Sequence, residues 1–87
     1  AGHGAELFPN PAFGRALVRW DTPLEEEGEI RLYNPAGQLL QSQAIAPGAT
    51  RYELQLKGLP TGLYYVSLQL ESHQLPQTMP LNVIAVD

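Results

Sequence analysis

Arg51-Tyr52-Glu53-Leu54-Gln55-Leu56-Lys57 alternates apolar and polar residues without a break. Successive side chains of a strand point to opposite faces, so Tyr52, Leu54 and Leu56 share one face and Arg51, Glu53, Gln55 and Lys57 the other. A half-buried strand of an antiparallel sheet carries this pattern. The same period spreads outward in both directions. Residues 15–20 set Ala16, Val18 and Trp20 against Arg15, Leu17 and Arg19, and residues 29–32 place Ile30 and Leu32 inward. Residues 62–70 place Tyr64, Val66, Leu68 and Leu70 inward, with Tyr65, Ser67 and Gln69 outward. No 3.6-residue helical pattern runs beyond a turn.

Two further segments are strand-like with weaker alternation. Residues 38–45 are polar in the middle, which suits the exposed rim of a sheet. Residues 79–86 are almost continuously apolar, and Leu81 and Val83 are assigned inward. With a short strand at residues 5–8, the expectation is seven strands.

The connections supply the turn chemistry. Asn34-Pro35-Ala36-Gly37 and Leu59-Pro60-Thr61-Gly62 each place Pro at the second and Gly at the fourth position of an expected type I turn. Ala46-Pro47-Gly48-Ala49 is another turn, and residues 21–28, with three consecutive glutamates, form a solvated loop. Short strands joined by such turns within one small domain predict an all-β fold, a seven-stranded antiparallel immunoglobulin-like β-sandwich. The Cys–Trp–Cys set of antibody domains is missing, and Trp20 is expected to anchor the core.

Eighty-seven residues without cysteine make one domain with neither a disulfide framework nor a thiolate metal site. The net charge of −4 comes with scattered basic residues, Arg15, Arg19, Arg31, Arg51 and Lys57. Nucleic-acid affinity needs clustered positive charge, so DNA and RNA are not expected partners. No apolar run reaches the roughly eighteen residues that span a bilayer, so the chain is not expected to cross a membrane. The start, Ala1-Gly2-His3-Gly4-Ala5, lacks an apolar signal-peptide core. Residues 1–6 read as a linker remnant or fusion scar and 7–87 as the domain, a module cut from something longer.

Candidate chemistry is sparse. His3 and His73 offer no local ligand pair, so neither a metal nor any other cofactor is expected. Calcium loops need oxygen ligands at alternating positions, whereas Glu25, Glu26 and Glu27 are consecutive and Glu29 follows, so their side chains diverge. Ser42, Ser67 and Ser72 lack a nucleophile-elbow context, and no enzymatic activity is expected. Tyr33 and Tyr65, with Arg31 nearby, could form an outward platform for a glycan, although aromatic residues also fit pleated surfaces for packing alone.

Leu7-Phe8-Pro9-Asn10-Pro11 is different in kind. Pro9 and Pro11 fix their own φ and keep Phe8 and Asn10 out of the α region, so these residues form one rigid bend. The Asn10 side chain is suited to bond nearby backbone. About fifty residues later, Leu59-Pro60-Thr61-Gly62-Leu63-Tyr64 supplies a second proline-fixed corner.

Leu7-Phe8-Pro9-Asn10-Pro11, then Arg31-Leu32-Tyr33-Asn34 with Gly37 three residues on, then Leu59-Pro60-Thr61-Gly62-Leu63-Tyr64, resembles the type A C-terminal sorting domain of the type IX (Por) secretion system of Bacteroidetes. The resemblance runs from about Leu7 to the end. It implies an immunoglobulin-like sandwich at the C-terminus of a larger cargo protein. Such cargo is exported to the periplasm, crosses the outer membrane through the type IX translocon, and usually loses the domain to a sortase-like surface protease. It is then released or joined to an anionic lipopolysaccharide at the cell surface.

Carried over by residue, Pro9, Asn10 and Pro11 match the opening motif, Gly37 the mid-domain glycine, and Pro60, Gly62 and Tyr64 the later motif. Cleavage would fall before Leu7, in the stretch Gly2 to Ala5. The family's last strand is usually flanked or closed by Lys or Arg, whereas Met79-Pro80-Leu81-Asn82-Val83-Ile84-Ala85-Val86-Asp87 has no basic residue.

The function expected from these readings is that of an address. Its elements are the folded surface and the last strand, with Met79, Leu81, Val83, Ile84 and Val86 as the segment read by the translocon, through strand addition at an exposed edge. A glycan-binding accessory module of a secreted enzyme, resting on Tyr33 and Tyr65, and a passive spacer are the competing expectations.

Overall fold

Trp20 ends the third of eight strands, and its indole shows how the two halves of the fold are joined. In the computed structural model, which describes residues 5–21, 23–72 and 76–86, the strands are β1 (Ala5–Phe8), β2 (Ala12–Phe13), β3 (Arg15–Trp20), β4 (Gly28–Tyr33), β5 (Leu39–Ile45), β6 (Arg51–Gln55), β7 (Gly62–Leu70) and β8 (Gln77–Ile84). They divide into a three-stranded sheet, β1-β3-β6, and a five-stranded sheet, β2-β8-β7-β4-β5. The Trp20 ring is buried, and its Nε1–H donates to the Ala49 carbonyl at 2.6 Å, so the polar end of the indole is satisfied inside the core.

The core is a single cluster drawn from both sheets. Ala16, Val18, Trp20, Leu54 and Leu56 come from the smaller sheet and its margin, facing Ile30, Leu32, Tyr64, Val66, Leu68, Leu70, Leu81 and Val83 of the larger one. Every residue expected inward in β3, β4, β7 and β8 is buried. The fold is therefore an all-β, sandwich-like pair of sheets without a helix among the described residues. Residues 39–45 lie at the free edge of the larger sheet, as their polar middle anticipated.

Three expectations require correction. There are eight strands rather than seven, because Ala12–Phe13 pairs with β8. Two residues between Pro11 and Gly14 are too few to show a period of two. That pair is also parallel, Ala12 opposite Val83 and Phe13 opposite Ile84, so the sandwich is not wholly antiparallel. Ser67, expected outward, is 3% exposed. It lies on the central strand β7, flanked on both sides by strands that set Arg31 of β4 and Thr78 of β8 opposite it.

The turns follow the sequence in two of three places. Gly37 N–H donates to the Asn34 carbonyl at 2.9 Å and Ala49 N–H to that of Ala46 at 3.3 Å, closing both expected turns. Around the later proline, the turn bond closes earlier, from Leu59 N–H to the Leu56 carbonyl at 3.1 Å, with Gly58 at φ 91°. The chain leaves the smaller sheet there, and residues 59–61 cross to the larger one. The Tyr64 hydroxyl fastens that crossing by donating to the Pro60 carbonyl at 2.6 Å, the geometry of a tyrosine corner.

Candidate functional site

The motif residues singled out from sequence converge on one end of the larger sheet, around β8. Asn10 does not bond its own neighbourhood. Its Nδ2 donates to the Pro80 carbonyl at 3.3 Å, and its Oδ1 accepts from Asn82 N–H at 3.0 Å. The side-chain amide thus behaves as one peptide unit of an extra strand, and β2 continues the pairing at Val83 and Ile84. A strand residue's N–H and C=O point to the same side, so the missing N–H of Pro80 falls on this outer edge, where no ladder bond within the sheet is lost.

Thr61 holds the far end. Its Oγ1 accepts from Ala85 N–H at 2.8 Å, just past the last residue of β8. Gly62 opens β7 opposite Val83, and a Cβ built there would stand 3.5 Å from the Pro35 ring and 3.6 Å from the Tyr64 ring. The Asn34–Gly37 turn, the later proline motif and β8 therefore meet at one end of the sandwich. Gly37 occupies the hairpin tip at φ 85°, a region that favours glycine, with open space around it. Asn34 organises that tip, its Oδ1 accepting from the N–H groups of Ala36 and Gln38, both at 2.9 Å.

Between these parts lies an open, largely apolar groove of about 360 Å³, lined by Pro11, Thr61, Gly62, Leu63, Asn82, Val83 and Ile84. Within β8, Leu81 and Val83 are wholly buried, Met79 and Ile84 are half-buried, and so is Val86 beyond it. What the folded domain displays of this strand is Gln77, Thr78, Pro80 and Asn82. Sequence reading missed Thr61 and β2. Neither residue type nor spacing marks Thr61, whose partner is 24 positions away.

A second feature is a row across the outer face of the larger sheet. Leu39 stands opposite Tyr33, Tyr33 opposite Tyr65, and Tyr65 opposite Pro80. Tyr65 is exposed and Tyr33 half-buried. Arg31, next to the row, pairs with Glu29 at 2.7 Å, and its pKa is raised by hydrogen bonding to Tyr33 first and to Glu29 second. A bulge between Leu32 and Tyr33 brings Leu39 onto this face.

The remaining candidates disperse. The side chain of Glu26 accepts from both the N–H and hydroxyl of Ser72, while Glu29 faces Arg31, so the acidic run is divided among different partners. Ser42 is on the exposed edge strand and Ser67 is buried. Among the described residues no group of three His, Asp or Glu could hold a metal ion. His3, His73 and Asp87, and residues 2–4 of the expected cleavage stretch, lie outside the described residues. No helix among the described residues is long and apolar enough to cross a membrane.

The chain matches the family model described as the secretion system C-terminal sorting domain over residues 6–80. No curated protein matches it.

Proposed function

The chain belongs to the secretion system C-terminal sorting domains, and from that premise we propose that the end of the sandwich built around β8 is the address read by the type IX translocon. Membership supports a type IX C-terminal sorting signal and implies export of the protein, together with a secretion system and a cargo. The observation that carries the finer reading is convergence. Three motifs far apart in sequence gather at one end of the larger sheet. Asn10 and Thr61 bond the C-terminal end of β8, and the Pro35 ring of the Asn34–Gly37 turn stands beside Gly62, opposite Val83. A corner needed only for folding has no reason to gather the other two.

In this reading the domain is immunoglobulin-like, a description supported by the tyrosine corner at Tyr64 and the two facing sheets. It performs no catalysis. The segment before the first strand joins it to an upstream cargo, and a sortase-like surface protease cuts there after transit through the periplasm. The cargo is left at the surface or released. Recognition uses Asn82, Pro80 and the adjoining groove, because Leu81 and Val83 are committed to the core. Strand addition to β8 along Pro80–Ile84 requires displacement of β2 and Asn10, which already fill that edge.

The test is to fuse residues 1–87 to a periplasmic reporter in a type IX-competent host. Export of the reporter is expected, and its retention in the periplasm overturns the reading. Deleting Met79 onward removes buried Leu81 and Val83, so it confounds signal with folding. Asn82→Lys, at an exposed position, separates them: a folded, non-exported fusion is the expected result.

The Tyr33–Tyr65 pair favours a second reading, a glycan-binding module. It predicts retarded migration in polysaccharide gels that is lost in Tyr65→Ala. Unchanged migration of the wild-type chain excludes it.

A further inference from the structure

We propose that β5 is a self-association edge, pairing antiparallel with β5 of a second copy of this chain about a two-fold axis through Ser42. The observation is a contrast among sheet edges. The outer strand β1 carries Glu6, which pairs with Arg19 at 3.1 Å, and β6 carries Arg51 and Glu53. At the remaining edge β2 is only two residues long and follows Pro11. Charge, proline, shortness and β-bulges are devices by which sheet edges avoid pairing with other chains.

From Gln41 to Ile45, β5 has none of them. Leu39-Leu40-Gln41-Ser42-Gln43-Ala44-Ile45 contains no charge and no proline over seven residues, and it forms the open end of the five-stranded sheet. Its one irregularity is the bulge near Leu39. From Gln41 to Ile45 the register with β4 is unbroken, so this stretch offers a straight edge. Leu39 and Leu40 are 52% and 40% exposed.

The occupant follows from self-complementarity. An isologous antiparallel pair sets each residue against its mirror position. About Ser42 this places Gln41 against Gln43 and Leu40 against Ala44 of the other copy, while Leu39, set beyond the bulge on the outer face, has no mirror partner in Ile45, which is buried in the core. Each pair is polar with polar or apolar with apolar. The nearest charges, Glu29 and Arg31 on β4, neutralise one another at 2.7 Å, so the domain's net negative charge is not concentrated at the contact. Pairing would give a continuous ten-stranded sheet, twice the five strands of one copy. A single strand pair lies at the small end of interfaces, so a weak dimer is expected, with Kd of roughly 10–1000 µM. This inference is independent of the sorting function.

The experiment is sedimentation equilibrium on the 1–87 chain between about 10 µM and 1 mM, the range set by that Kd. A reversible monomer–dimer equilibrium is expected. Ser42→Lys sets two lysines face to face and should weaken it at least ~10-fold, while Ser42→Thr should leave it intact. Amide exchange read at both ends of the range is a second measurement, with Gln41–Gln43 protected only at high concentration. A wild-type chain that stays monomeric to 1 mM overturns the proposal. So does a dimer that survives Ser42→Lys, or one whose concentration-dependent protection lies outside β5.

Discussion

The amide N–H of Asn82 donates to the side-chain oxygen of Asn10 across 3.0 Å, joining two residues 72 positions apart. Its companion bond, from Asn10 Nδ2 to the Pro80 carbonyl, makes one side chain occupy the edge of the last strand. Replacing Asn10 by Ala removes both bonds. The site is exposed, so water takes over part of the pairing, and the expected loss is about 1–2 kcal/mol. Urea unfolding checks the magnitude, and amide exchange at Asn82 checks the location. Asn10→Asp keeps the acceptor for Asn82 and loses the donor to Pro80, so it should fall between wild type and Ala. Equal stability of Asn10→Ala and wild type would remove this bond from the account of β8.

The tyrosine corner gives a second prediction. Tyr64 is 3% exposed and its hydroxyl reaches the Pro60 carbonyl at 2.6 Å. Tyr64→Phe keeps the ring in the core and leaves that carbonyl without its partner. A loss of about 1–2 kcal/mol is expected, measured by the denaturation midpoint at constant m-value.

These two bonds mark the limit of what the sequence discloses. Period-two alternation located Leu54, Leu56, Val66 and Leu68 in the core, because burial of one sheet face writes itself directly into residue type. It could not find β2, since Ala12 and Phe13 are too short a run to alternate. Ser67 was misplaced for another reason. Its burial comes from position on the central strand, a property of its neighbours and not of its own polarity. At the candidate site, prolines and glycines announced the corners, but the partners of Asn10 and Thr61 depend on sheet order. No local pattern encodes that.

The strand expected to be read by the translocon is also part of the core. Leu81 is fully buried, so Leu81→Ala should cost about 2–5 kcal/mol, a large share of a small domain's stability. Thr78→Ala, at an exposed position of the same strand, should change stability by less than about 0.5 kcal/mol. Thermal unfolding of the two variants side by side checks the contrast. Comparable losses would mean that β8 is not packed as described.

Gly37 and Gly48 form a matched pair for separating fold from recognition. Both adopt positive φ, 85° and 92°, and both have open space where a Cβ would stand. Alanine at either position therefore meets only the backbone penalty, about 1–2 kcal/mol. Equal destabilisation is expected from chemical unfolding. Since Gly37 alone belongs to the motif, an export defect in Gly37→Ala that Gly48→Ala does not share would assign it a recognition role beyond the turn.

Thr61 provides the last prediction, because it holds the chain beyond the sheet. The Ala85 N–H follows the final residue of β8 and donates to the Thr61 hydroxyl oxygen at 2.8 Å. Val86 then reaches Gly14, whose built Cβ would sit 3.5 Å from its Cγ2. Thr61→Val preserves shape and removes the acceptor, while Thr61→Ser preserves the acceptor and removes a methyl group. If the hydroxyl fastens the strand end, Thr61→Val should lose about 0.5–1.5 kcal/mol, and Thr61→Ser should retain most of the wild-type stability. The change should also be local. Exchange at Ala85 should accelerate several-fold in Thr61→Val, while Val66 and Leu68, deep in β7, report only the global loss. Faster exchange that is uniform across β7 and β8 would instead make Thr61 a determinant of the whole sheet. In that case the clamp on the C-terminal end is no longer separable from the fold.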